Sequence, residues 1–127
     1  MAKTSLSGTP VDGKSGEPVA GISVWVYKCK KWKGRGLRWP WDSRFEGMKL
    51  SAVTDEDGDY NIKDIPIPAG LDAVTYGVCT EPTDKYAGSG GAKLFHAGRA
   101  ETWSPMLFTK SYVDKAKEWW RFVWPFR

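Results

Sequence analysis

Ile22-Ser23-Val24-Trp25-Val26-Tyr27 is the stretch that decides the fold. Branched aliphatic residues at 22, 24 and 26 alternate with Ser23, Trp25 and Tyr27, and successive side chains of a strand point to opposite faces. The run therefore predicts a half-buried β-strand with its β-branched face inward. Upstream, Leu6 to Val11 makes a first short strand, and Asp12-Gly13-Lys14-Ser15-Gly16-Glu17-Pro18 is a cluster of turn residues. Downstream, residues 30 to 47 break the pattern, with Gly34, Gly36, Pro40 and Gly47 arguing for a long irregular connection.

Alternation then resumes. Leu50 to Thr54 reads as a strand, Asp55-Glu56-Asp57-Gly58 as a tight turn, and Tyr60, Ile62 and Ile65 as the returning strand of a hairpin. Pro66, Pro68 and Gly70 end it; Val74 to Cys79 alternates again and stops at Pro82. Residues 86 to 105 are glycine-rich and irregular, with another strand at Lys93 to His96 and a last short one at Met106 to Thr109. Short alternating runs separated by turns describe a mainly β chain, an antiparallel β-sandwich.

From Lys110 the period changes. Tyr112, Val113, Ala116, Trp119, Trp120 and Val123 repeat at helical spacing, with Lys110, Asp114, Lys115, Lys117, Glu118 and Arg121 on the other face. This predicts an amphipathic helix from about Ser111 to Val123, with Ser111 and Asp114 resembling a capping arrangement and Pro125 preventing continuation. The expected organisation is a β domain over 1–109, carrying the long loop at 30–47, and a helix with tail over 110–127.

The chain has 127 residues and a net charge of +4, which suits one soluble domain and falls short of the basic balance that points to nucleic acid. The charge is uneven: Lys28, Lys30, Lys31, Lys33, Arg35, Arg38 and Arg44 stand against Asp42 alone. Met1 to Pro10 lacks the apolar run of a signal peptide, and no apolar stretch is long enough to span a bilayer. The expected place of synthesis is the cytoplasm, with a virion as one destination; an excised domain would be extracellular. Cys29 and Cys79 have no metal-ligand spacing, and either one bridge or two free thiols fits them.

Ser7-Gly8-Thr9-Pro10-Val11-Asp12, Gly16-Glu17-Pro18-Val19-Ala20-Gly21-Ile22-Ser23-Val24 and Thr54-Asp55-Glu56-Asp57-Gly58-Asp59-Tyr60-Asn61-Ile62 together resemble the carboxypeptidase regulatory-like domains and their prealbumin-like and collagen-adhesin B-type relatives. The resemblance covers about residues 6 to 86. It implies a seven- to eight-stranded sandwich and a non-enzymatic accessory, adhesive or assembly module. Some adhesin B-type domains close a Lys to Asn isopeptide bond beside a buried acid. Lys28 and Glu81 are the matching residues here, but no Asn follows position 61. The sandwich is also similar to that of intradiol dioxygenases, whose iron needs two His; this chain has only His96.

Asp55, Asp57 and Asp59 alternate as calcium ligands do, yet Gly58 comes too early for an EF-hand loop and no closing Glu follows, so a solvated turn is expected. His96 has no second His and no nucleophile motif, and reads as a surface or hydrogen-bonded side chain. No cofactor and no metal are expected.

The aromatic load is the strongest functional signal: eight Trp, five Tyr and five Phe. Trp32, Arg35, Arg38, Trp39 and Trp41 lie in the basic loop, where flat rings and cations suit a partner surface or ligand; the competing expectation is that these Trp fold back onto the sheet. Trp119, Trp120 and Trp124 make the carboxy-terminal segment too apolar to stand exposed. It docks on its own sheet, on a neighbouring subunit or at a membrane interface. The leading expectation is a non-enzymatic structural or interaction module. It would be a subunit of an assembly such as a virion (phage decoration or tail protein) or a surface appendage, with other proteins or copies of itself as partners. The alternative is a carbohydrate-binding module that stacks sugars on Trp32, Trp39 and Trp41.

Overall fold

The computed structural model describes residues 2–29 and 39–115. Among these are nine strands: β1 (Ala2–Gly8), β2 (Val11–Asp12), β3 (Ser23–Cys29), β4 (Gly47–Val53), β5 (Tyr60–Ile67), β6 (Ala73–Thr80), β7 (Gly90–His96), β8 (Glu101–Thr102) and β9 (Met106–Leu107). One helical turn, α1, follows at 110–115. The chain is mainly β, as its alternation predicts.

Two larger sheets form, with strand orders β5-β1-β8 and β4-β3-β6-β7, beside a small β2-β9 pair. Pairing is antiparallel except for β1 with β8 and β2 with β9. The inward faces of the two larger sheets share one hydrophobic cluster. Leu6, Ile62, Ile65 and Ile67 come from the first, and Val24, Val26, Val74, Tyr76, Val78 and Phe95 from the second. Val24 and Val26 are wholly buried, as the alternation at 22–27 requires. Tyr76 buries its ring while its hydroxyl donates to the Pro66 carbonyl at 2.5 Å, so the polar tip is satisfied across the two sheets.

Ile62 and Ile65 cannot both face inward on a regular strand, because they differ in parity. A β-bulge resolves this: Thr4 pairs Ile65 and Leu6 pairs Ile62, so Lys63 and Asp64 oppose Ser5 alone. Asp64 takes up the extra residue with φ of 58°, a left-handed conformation that Asp tolerates better than most side chains.

Several expectations need correction. The run Leu6 to Val11 is not one strand: β1 begins earlier, and the chain breaks at Thr9-Pro10 before Val11 joins Met106. Pro10 offers no N–H to continue the ladder. The segments flanking Asp55–Gly58 do not form a hairpin. β4 pairs with β3 and β5 pairs with β1, so the turn carries the chain from one sheet to the other. Turn chemistry tightens a reversal without dictating whether the flanking strands pair. Here Thr54 holds the corner: it is buried, its hydroxyl donates to the Val19 carbonyl at 2.8 Å and accepts from the Ile22 N–H at 2.9 Å. β8, in the stretch expected to be irregular, is an added strand.

The helix starts one residue early and is capped by Thr109, not Ser111. Thr109 Oγ1 accepts from the Tyr112 N–H at 3.2 Å. Residues 116–127, with Trp119, Trp120 and Trp124, lie outside the described residues. Among the described residues no helix is long and apolar enough to cross a membrane.

The register also decides the cysteines. Trp25 pairs with Cys79 and Cys29 with Gly47, placing the two at different points along β3. They do not bridge, and Cys79 is a buried thiol. The isopeptide geometry fails on the same strand. The Glu81 N–H bonds to the Ser23 carbonyl, at one end of β3, while Lys28 is exposed at the other end, five residues and roughly 16 Å away.

Candidate functional site

The aromatic site is built on the outer face of the four-stranded sheet. With Val24 and Val26 committed to the core, the period of two turns Trp25 and Tyr27 outward. The segment 39–46 then folds back over them. Trp41 packs on Trp25 with ring centroids 6.4 Å apart, and Phe45 meets Tyr27 edge-on at 6.1 Å. Phe45 is buried by this contact, and Lys49 Nζ lies 5.9 Å from its ring centroid.

Local hydrogen bonds hold the segment in shape. The Asp42 N–H donates to the Trp39 carbonyl at 2.9 Å and the Phe45 N–H to the Asp42 carbonyl at 3.0 Å. The Asp42 carboxylate accepts both from the Arg44 backbone and from its guanidinium, the latter at 2.8 Å. Arg44 is thereby committed to Asp42.

Trp39 stacks on Trp41 with centroids 5.3 Å apart and planes 1° from parallel, the offset arrangement that aromatic quadrupoles favour. Trp41 is half-buried between Trp25 and Trp39, whereas Trp39 is 41% exposed. The two readings of these Trp thus divide by residue: Trp41 covers the sheet, and Trp39 is presented to solvent on top of it. Trp32, Arg35 and Arg38 lie outside the described residues.

Beside the pair lies a cleft of about 490 Å³, lined by Tyr27, Trp39, Trp41, Thr80, Pro82, Gly88, Ser89, Gly90 and Gly91. None of these carries a charge at neutral pH. Part of the lining, at Gly88, Gly90 and Gly91, has no side chain, and at the first two β6 leaves no room for one. A Cβ on Gly88 would meet the Thr80 carbonyl at 2.9 Å, and one on Gly90 the Val78 carbonyl at 3.0 Å. Ser89 is pinned by its N–H to Thr80 Oγ1 at 2.9 Å and by its carbonyl, which accepts from the Thr80 N–H at 2.7 Å. Neither the Ser89 hydroxyl nor the Tyr27 hydroxyl has a hydrogen-bond partner among the described residues. Burial pushes the Tyr27 phenol above its ordinary range, so it stays protonated as a donor.

Tyr27, Ser89 and the glycines of 88–91 are the site residues that sequence reasoning missed. The outward parity of Tyr27 was legible in the strand; its proximity to a segment sixty residues away was not.

The other candidates resolve into structure. Asp55, Asp57 and Asp59 are all exposed, with ligand atoms within 4.8 Å of one another. Asp55 Oδ1 already accepts from the Asp57 and Asp59 N–H groups at 2.9 and 3.0 Å, and Thr9 Oγ1 donates to Asp59. They build the turn. His96 Nδ1 lies 3.2 Å from Glu101 Oε1, a tie between β7 and β8. No protein-family model matches the chain, and no curated protein matches it in sequence.

Proposed function

We propose that this chain is a non-enzymatic interaction module, a β-sandwich of the carboxypeptidase regulatory-like type. It serves as a subunit of a larger assembly and meets its partner through the aromatic surface at Trp39. The observation that carries this reading is the run of ring contacts Trp25–Trp41–Trp39, in which exposed Trp39 stacks on Trp41 and Trp41 packs at a tilt on Trp25. An exposed indole on a pre-ordered support loses little conformational freedom on binding, and such residues dominate the energetics of interfaces.

Light scattering across concentration on the full chain and on Trp39→Ala tests the proposal. A defined oligomer that the substitution dissociates supports assembly through this face. A full chain that stays monomeric, with Trp39→Ala indistinguishable in every binding assay, overturns it.

A further inference from the structure

The cleft beside Trp39 has properties that select among partners. We infer that it is a binding site for a neutral pyranose oligosaccharide, a reading that rests on the proposed function only in taking Trp39 as a binding surface.

Three observations point the same way. The first is the shape of the aromatic wall. Trp39 and Trp41 are parallel to within 1° with centroids 5.3 Å apart, so they leave no slot between the rings, and Trp39, which is 41% exposed, keeps one face uncovered by Trp41. A proline-rich peptide docks its rings into gaps between aromatic ridges; a sugar ring lays its apolar C–H face on a single plane. The second is the rest of the lining. Gly88, Gly90 and Gly91 leave backbone uncovered, and Ser89 Oγ and Tyr27 Oη line the same cleft without partners among the described residues. Sugar hydroxyls supply both donors and acceptors, and this lining offers both. The third is charge. The described lining residues are uncharged, so the described part of the cleft offers no counter-ion of its own for a phosphate or sulfate.

A volume of about 490 Å³ falls within the roughly 300–1,000 Å³ common for small-ligand sites, enough for a short stretch of chain. The platform therefore differs from a row of three loop Trp. Trp39 stacks, Trp41 backs it, and the hydroxyls of Tyr27 and Ser89, which line the same cleft, fix the orientation of the sugar.

The test is calorimetric titration of the full chain with cello-, laminari-, xylo-, manno-, chito- and maltohexaose, alongside a decaproline peptide and a heparin hexasaccharide. At least one neutral hexasaccharide is expected to bind. Trp39→Ala is expected to weaken it at least about tenfold with the thermal midpoint unchanged, and Ser89→Ala and Tyr27→Phe about two- to tenfold each. Trp39→Phe, which keeps a flat face, should restore part of the affinity.

The inference is overturned if no neutral hexasaccharide binds at about 5 mM, if binding survives Trp39→Ala, or if only the heparin fragment binds. Decaproline binding that Trp39→Ala abolishes, with no sugar bound, overturns the saccharide site but leaves the interaction surface standing. If Trp39→Ala changes neither ligand binding nor solution mass, both fall.

Discussion

Tyr27 lies across Gly77. The two are direct partners in the β3–β6 register, and a Cβ added at Gly77 would come within 2.5 Å of Tyr27 Cζ. The missing side chain on β6 is what lets the Tyr27 ring lie low on the outer sheet face, where it supports Phe45 and lines the cleft. Gly77→Ala is expected to destabilise the fold by about 1–3 kcal/mol through overpacking and to alter the near-ultraviolet circular dichroism of the aromatic stack. Urea denaturation and the spectrum read both. Wild-type stability with an unchanged spectrum would mean that the ring has room to spare.

Thr54 is the hinge pin of the crossover from β4 to β5. Thr54→Val keeps the shape but removes a hydroxyl that both donates and accepts inside the protein. It is expected to cost about 1–3 kcal/mol, while Thr54→Ser retains most of the stability because the oxygen remains. Equal loss in both variants would assign the effect to packing instead.

Asp12 couples the first turn to Tyr86. The Tyr86 hydroxyl, at 2.6 Å, is the main cause holding the Asp12 carboxyl down at about 2, with the Ser15 and Lys14 N–H groups adding to it. A carboxyl depressed in the folded state stabilises it above its unfolded value near 3.8, and that contribution disappears as pH falls through about 2. Tyr86→Phe should therefore lower the thermal midpoint at pH 7 and differ less from wild type at pH 2. A difference independent of pH between 7 and 2 would show that the pair is not linked to Asp12 ionisation.

Cys79, the cross-strand partner of Trp25 on the outward side of β6, is buried, and its thiol is pushed up to about 12, first by burial and then by the nearby Glu81 charge. A thiol held protonated is a poor nucleophile. In a Cys29→Ser variant, which isolates it, Cys79 is expected to react with an aromatic disulfide reagent at pH 8 at least about a hundredfold more slowly in the native state than in urea. Comparable rates would mean that β6 opens readily.

The parts of the fold legible in the sequence were those with local causes. The parity of Ile22, Val24 and Val26 predicted the core face of β3, and that of Val74, Tyr76 and Val78 follows the same rule. Asp55-Glu56-Asp57-Gly58 was readable as a turn because an Asp side chain can bond backbone two residues on, as Asp55 does to Asp57. Of the candidate site, Trp39 and Trp41 were found from residue type alone. Their division of labour was not, because burial of Trp41 depends on its contact with Trp25, and the sequence does not say which of the loop Trp folds back onto that face.

The sequence by itself determined that this is a mainly β chain, which faces are apolar, where the chain turns, and that it is rich in aromatic residues. Only the tertiary structure decided which strands pair. It therefore also decided that the Asp55 turn joins two sheets, that Cys29 and Cys79 stay apart, and that Tyr27, Ser89 and the 88–91 glycines line one cleft with Trp39. The physical reason is that side-chain alternation is written every two residues along one strand. The choice of a hydrogen-bonding neighbour is made among backbones that are chemically alike, and is settled by how bulges, buried threonines and missing Cβ atoms let distant segments fit.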